Sequence, residues 1–211
     1  MTKPIEVRDG ARPPREESAT LSRETLVGVR AREPRALAGF FEFSFDRVYS
    51  LAARLLGDRT AAEDVTQEVF LKVQRKADRI DPDRDPMAWL AVITYNACRD
   101  YWRSRKRQPL GRAASLDGEV VGEDRLVGME PDPETRALNR ERDRAVQAAI
   151  SRLPQEMRTV VLLHDYQDLN HDEIGRVIGA SHAAVRKRYS RALARLAEEL
   201  KDWWEHGPGR T

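Results

Sequence analysis

Apolar residues recur at three- and four-residue spacing through most of this chain, and no stretch alternates apolar with polar as a half-buried strand would. From Leu37 the stripe runs through Phe40, Phe41, Phe45, Val48, Tyr49, Leu51, Ala52, Leu55 and Leu56, and Gly57 ends that helix. Thr60 reads as the N-cap of a second helix, with Glu63 as its capping-box partner and Ala62, Val65, Val69 and Val73 as its inner face. The polar run from Asp81 to Pro86 is a loop. Asp85 can cap the next helix and Pro86 suits its first position. That helix carries a stripe of Trp89, Ile93, Ala97 and Tyr101. Periodicity vanishes between Gln108 and about Pro133. It then continues to about Trp204, broken at Pro154, at Asp168 to Asn170 and at Gly179 to Ser181. The expected fold class is all-α, without an internal repeat.

The interruption divides the chain. Residues 1–35 mix Arg, Glu, Pro and Thr without periodicity and are expected to be a disordered tail. Residues 36–107 and 138–204 are expected to form two small helical domains, with 108–137 as a flexible linker and 205–211 as a tail. Between Ala113 and Thr135, seven acidic residues face one basic residue, Arg125, so the linker is acidic.

Composition changes this picture little. Of the 211 residues, 34% are charged and 40% hydrophobic, which suits small helical domains better than one large buried sheet. A net charge of +2 does not by itself announce nucleic acid. The single cysteine, Cys98, excludes an internal disulfide framework and a multi-cysteine zinc site. No apolar run approaches the ~20 residues that span a bilayer. Met1 to Gly10 lack the apolar core of a secretory signal, so a cytoplasmic protein without membrane insertion is expected.

Candidate chemistry concentrates between His171 and Leu196. Asn170 can cap a short helix with Glu173 three residues on, and Ile174 and Ile178 give it an inner face. Gly179 supplies the left-handed residue of a tight turn, and small Gly175 allows two helices to approach closely. Ser181 caps the next helix, whose buried stripe is Val185, Tyr189, Ala192 and Leu196. Two short helices joined by a glycine turn form a helix-turn-helix, whose second helix enters the major groove of DNA. Its outer face carries Arg186, Lys187, Arg188, Arg191 and Arg195, with no acid between Ser181 and Ala197. Cations of this kind bind phosphates and fork onto base edges.

The upstream text narrows the reading. The block Asp64-Val65-Thr66-Gln67-Glu68-Val69-Phe70, then Trp89-Leu90, then Tyr95-Asn96-Ala97-Cys98-Arg99-Asp100, resembles region 2 of bacterial sigma factors. Leu153-Pro154, Glu173-Ile174 and Val185-Arg186-Lys187-Arg188 resemble region 4. With nothing that resembles regions 1 and 3, the layout is similar to the extracytoplasmic-function (group 4) sigma factors over about residues 36–107 and 138–200.

This resemblance implies a transcription factor that directs core RNA polymerase to promoters. Asp64, Gln67, Glu68 and Phe70 would dock on the polymerase clamp helices. Asn96, Arg99, Arg103 and Arg105, with Val92, would meet the minus-ten element, and the loop Asp81 to Asp85 would hold a flipped base beside Asn96. His164, Ser181, His182, Arg186, Lys187, Arg188, Ser190 and Arg191 would meet the minus-thirty-five element. The acidic linker would thread the polymerase channel. An anti-sigma factor would be a further partner, and no cofactor or metal is implied. Some positions depart from the family: Ala184 lacks a hydroxyl for phosphate, Gly175 replaces a usual Ala, and Tyr95, His164 and Ser190 are uncommon where they stand. These departures point to a private promoter sequence.

Two other readings stand beside this one. A dimeric helix-turn-helix regulator that is not a sigma factor would share the C-terminal motif but leaves the Asp64 to Phe70 block unexplained. A metal-dependent phosphohydrolase would use His164-Asp165 and His171-Asp172. Such a site needs three or four convergent ligands, and neither a phosphate loop nor a nucleophile–base pair is present, so the chain is expected not to be an enzyme.

Overall fold

The structure, a computed structural model, describes residues 21–107 and 133–206. The expected linker between 108 and 132, and the outer parts of both tails, lie outside the described residues. Among the described residues every regular element is helical, so the fold is all-α.

Four helices build the N-terminal half: α1 (Arg23–Arg30), α2 (Pro34–Leu56), α3 (Arg59–Arg75) and α4 (Met87–Arg107), with a short 3-10 turn at Ala77–Arg79. The expectation of a tail through residue 35 fails here. Ser22 caps α1 by accepting from the Thr25 N–H at 3.1 Å, and Leu26 and Val29 are buried. Two buried apolar residues in an eight-residue helix rich in charge are too few to register as periodicity. Thr60 is not the N-cap of α3. Gly57 closes α2 in the left-handed region, and Asp58 follows in an extended conformation. The Asp58 carboxylate accepts from the Ala61 N–H at 3.1 Å, two residues earlier than the sequence pattern places the cap. Asp85 does cap α4, accepting from the Met87 N–H at 2.9 Å.

Phe40, Val48 and Leu51 of α2, Val65, Val69 and Val73 of α3, and Leu90, Ala97 and Cys98 of α4 are buried together. Each large side chain contributes about 1.5–3 kcal/mol on leaving water. Two buried hydroxyls return their protons to their own helices: Ser44 donates to the Phe40 carbonyl at 2.6 Å and Thr94 to that of Leu90 at 2.9 Å. Burial pushes the Cys98 thiol up to about 12, as expected for a structural cysteine.

The C-terminal half comprises α5 (Pro133–Arg152), α6 (Gln155–Val161), α7 (His171–Ile178), α8 (His182–Glu199) and α9 (Lys201–His206). Residues 133–137, expected in the linker, already belong to α5. α6 runs into a π-helical turn at Leu162–Tyr166. Val160 to Leu163, Ile174, Val185 and Ala192 fill the core of this half. Its apolar cluster is continuous with that of the N-terminal half, because α2 packs against α6 and the π-turn. No described helix is long and apolar enough to cross a membrane.

Candidate nucleic-acid interface

The helix-turn-helix forms as its residues prescribe. Asn170 accepts from the N–H groups of Asp172 at 3.0 Å and Glu173 at 2.9 Å, and the Glu173 carboxylate accepts from the Asn170 N–H at 2.8 Å. This reciprocal pair satisfies donors that a helix start otherwise leaves bare. Gly179, with φ of 71°, ends α7. The turn folds back tightly: a Cβ added at Gly175 would lie 2.6 Å from the Ala180 carbonyl oxygen. Glycine at 175 is therefore a steric requirement of this turn. Ser181 then caps α8, accepting from the Ala184 N–H at 3.3 Å.

α8 buries Val185 and Ala192 and half-buries Tyr189 and Leu196, which leaves the opposite face to solvent. Ser181, His182, Arg186, Lys187, Ser190 and Arg191 are exposed on it. Arg188 is turned toward α6, where its guanidinium pairs with Glu156 at 3.2 Å. His164 sits back on the π-turn. Its Nδ1 lies 3.0 Å from Asp165 Oδ1, and its ring packs against those of Tyr189 and His171, at centroid separations of 4.4 and 5.0 Å. The Tyr189 hydroxyl donates to the same Asp165 oxygen at 2.9 Å. Asp165 thus ties the supporting turn to α8. The adjacency His164-Asp165 was legible as a pair, but its purpose depended on Tyr189, far along the chain. Among the described residues no cluster of three or more His, Cys, Asp or Glu side chains could hold a metal ion.

The second candidate face lies on α4. Asn96 and Arg99 are half-buried and Arg103 is exposed. Arg105 bends back instead of projecting: it donates to the Tyr101 hydroxyl at 3.3 Å and lies 3.9 Å from Asp58. Tyr95 is buried beside them, and burial raises its pKa. The loop before α4 is tied down. Asp81 accepts from the Asp83 N–H at 3.1 Å, and Arg23 of α1 donates to Asp83 at 2.7 Å, which holds the guanidinium pKa up. The role of α1 in bracing that loop could not be read from the sequence, since the two residues are sixty positions apart.

On α3, Asp64 and Gln67 are exposed. Glu68 is shared between Lys72 at 3.5 Å and Arg75 at 3.9 Å. Phe70 does not project freely; it packs against Phe41 and Phe45, with ring centroids 4.7 and 6.1 Å away. Leu71, 51% exposed, was missed. It falls seven residues after Asp64 and four after Gln67, on their outward face, and that spacing was its signal.

Comparison with known proteins bears on the whole arrangement. Residues 44–108 match the family described as sigma-70 region 2, and residues 143–196 match sigma-70 region 4. The probable RNA polymerase sigma factor RfaY of Xanthomonas campestris pv. campestris is 34% identical over 72% of this chain, which spans 37% of the length of that relative. The ECF RNA polymerase sigma factor SigW of Bacillus subtilis is 30% identical, with 85% of this chain and 97% of SigW covered. The structure of the sigma factor RpoE in complex with the anti-sigma factor NepR, from Bartonella quintana, aligns with a TM-score of 0.58. It covers 78% of this chain and 96% of that one, at 20% identity, a likeness of fold alone.

Proposed function

This chain belongs to the sigma-70 family, as an extracytoplasmic-function sigma factor, and we propose that it binds core RNA polymerase and directs it to a specific set of promoters. The observation that carries the reading is the order and spacing of two surfaces on one chain: the α4 face within the region 2 match, then the exposed basic face of α8 within the region 4 match. A helix-turn-helix regulator needs only the second.

In this reading the helical halves that span residues 23–107 and 133–206 are the working domains. Arg186, Lys187 and Arg191 neutralise phosphates or fork onto base edges of the minus-thirty-five element. Ser181, His182 and Ser190 line the same groove, with Arg188 and His164 at its margin. Asn96 reads an unstacked base of the minus-ten strand near the Asp81–Asp85 loop, and Arg99 and Arg103 hold its backbone. Arg105 supports α4 from within. Asp64, Gln67 and Glu68 make the polar part of the polymerase contact, and Leu71, beside the Phe41–Phe45–Phe70 stack, supplies its apolar part. The polymerase does the chemistry, and the protein works in the cytoplasm. An anti-sigma factor that covers these surfaces fits the family, and RpoE of Bartonella quintana was solved with one.

Run-off transcription with purified core polymerase on sheared genomic DNA tests the reading. New discrete transcripts that appear only with this protein support it. Retained sequence-specific DNA binding without new transcripts would move the chain to the regulator reading.

A further inference from the structure

Two arginines tie α1 to the stretch that connects α3 with α4. Arg32 follows α1 closely and stands in the left-handed region, with φ of 60°. A residue other than glycine enters that region at a cost. From there its guanidinium reaches the end of α3. Its Nε donates to the Gln74 carbonyl at 3.3 Å, and a terminal nitrogen donates to that of Arg75 at 3.2 Å. The same nitrogen meets Asp78 of the 3-10 turn at 3.4 Å. Carbonyls in the last turn of a helix lack partners within it and carry the negative end of its dipole, so a cation there serves both needs. Arg23, at the start of α1, grips the connection further on. Its Nε donates to Asp83 Oδ1 at 2.7 Å, with both side chains exposed. Between the two arginines, Leu26 and Val29 are buried and root α1 in the bundle. Gly28 brings it close to α2, since an added Cβ would lie 2.7 Å from the Cβ of Ala36. α1 is thus a fixed platform with a cation at each end.

The loop that it grips is anchored at its ends and open between them. Ile80 and Pro86 are buried, whereas Asp81, Asp83, Arg84 and Asp85 are exposed. The loop's own ties are local: Asp81 accepts from the Asp83 N–H at 3.1 Å and pairs with Arg84 at 3.3 Å, and Asp85 caps α4. The grip from another element comes from Arg23. It also settles the charge. Three carboxylates in five residues would repel a phosphate-bearing strand unless each is matched. Asp85 is matched by the Met87 N–H, Asp81 by Arg84, and Asp83 by Arg23 of α1.

We propose that α1 is a positioning element for base selection: Arg32, through the end of α3, and Arg23, through Asp83, hold the Asp81–Asp85 loop in the shape that accepts one base of the minus-ten strand. This role rests on the sigma reading, in which that loop receives an unstacked base. Discrimination between bases requires groups held to within about 0.5 Å by a rigid support. A four-residue exposed stretch with local ties alone is free to shift as a unit, and the Arg23 pair fixes it to the bundle. α1 ends before residue 44, where the region 2 match begins, so the brace is contributed by residues that the match does not include.

Transcription with core polymerase and the full chain tests this. A promoter recovered by run-off is randomised one position at a time through its minus-ten and minus-thirty-five elements, and transcript yield is read for each base. Arg23→Ala should lower the preference for the favoured base at one minus-ten position by about threefold, the scale of one exposed ion pair. Arg23→Lys keeps the cation and should restore most of that preference. The exchanged pair, Arg23→Asp with Asp83→Arg, should do the same. The midpoint of denaturant unfolding and the minus-thirty-five preferences should stay those of the parent, because Leu26 and Val29 still root α1. Unchanged minus-ten preferences in Arg23→Ala would overturn the positioning role alone. So would a loss of preference spread evenly over both elements, which marks a general loosening of the fold. If the unaltered chain yields no promoter to randomise, the sigma reading fails first and the positioning role falls with it.

Discussion

The two helices proposed to face DNA are mounted in opposite ways. α8 is held by local devices: a capping box at Asn170 and Glu173, a left-handed Gly179, a Ser181 cap and two buried residues, Val185 and Ala192. Its basic face is solvated and ready, as docking into an undistorted groove requires. α4 is instead a wall of the helical bundle. Met87, Leu90, Ala91, Ile93, Thr94, Ala97 and Cys98 are buried on it, and Asn96 and Arg99, proposed to meet the minus-ten strand, are half-buried at the margin. A surface that reads extruded bases needs a rigid, partly apolar wall to receive them. Reading duplex and receiving an opened strand thus place opposite demands on burial.

The largest effects are expected in the cores that carry these helices. Phe40 is fully buried in the bundle behind α4, and Phe40→Ala should cost about 3–5 kcal/mol. Ile174 is fully buried behind the turn to α8, and Ile174→Ala should cost about 2–5 kcal/mol. Denaturant titration gives the losses. Binding to a minus-ten single strand and to a minus-thirty-five duplex then separates them. Phe40→Ala should weaken the first and spare the second, and Ile174→Ala should do the reverse. If either variant weakens both equally, the continuous apolar cluster couples the two mounts and the contrast drawn above is wrong.

A smaller change isolates the turn. Gly175→Ala forces a Cβ to 2.6 Å from the Ala180 carbonyl, against backbone with little freedom to move. A loss of about 1–3 kcal/mol is expected, with faster hydrogen exchange at the amides of the turn from Gly179 to Ser181. Stability equal to the parent's would mean that the turn relaxes at no cost, and that α8 is mounted less rigidly than the local hydrogen bonds suggest.

What could be read in advance follows from the same contrast. The α7–α8 unit was legible almost residue by residue, because caps, glycine turn and apolar stripe act within a few positions of one another. In α4 nearly every second residue is apolar, so its periodicity could not distinguish the bundle core from the reading margin. Trp89, expected in the core stripe, is only half-buried, whereas Tyr95, noted only as an unusual residue, is buried. The roles assigned to Asn96 and Arg99 came from family resemblance and not from pattern. The contact of Arg54 of α2 with Gln147 of α5 and Tyr166 of the π-turn was invisible for another reason. Each is an unremarkable helix-surface residue, and only tertiary packing brings α2 against α5 and the π-turn. The misplaced cap at Thr60 is a milder case: both Asp58 and Thr60 can cap, and the left-handed Gly57 decides between them by placing Asp58 first in the extended region.

The smallest expected effect concerns how α8 is tied to its support. The Tyr189 hydroxyl donates to Asp165, which also meets His164 on the π-turn. Tyr189→Phe keeps the ring against His164 and removes only that donor. A single net hydrogen bond at a part-buried site contributes about 0.5–1.5 kcal/mol, so the unfolding free energy from denaturant titration should fall by that amount and no more. The His164→Ala and Tyr189→Phe double-mutant cycle then decides what Asp165 does. If it links the turn to α8 through both partners, the two losses should fall short of adding, because the first substitution already loosens the shared carboxylate. Strict additivity would mean that the two contacts are independent. α8 would then be positioned by its core residues and caps alone, and the hydroxyl would be a surface detail of an otherwise self-sufficient helix-turn-helix.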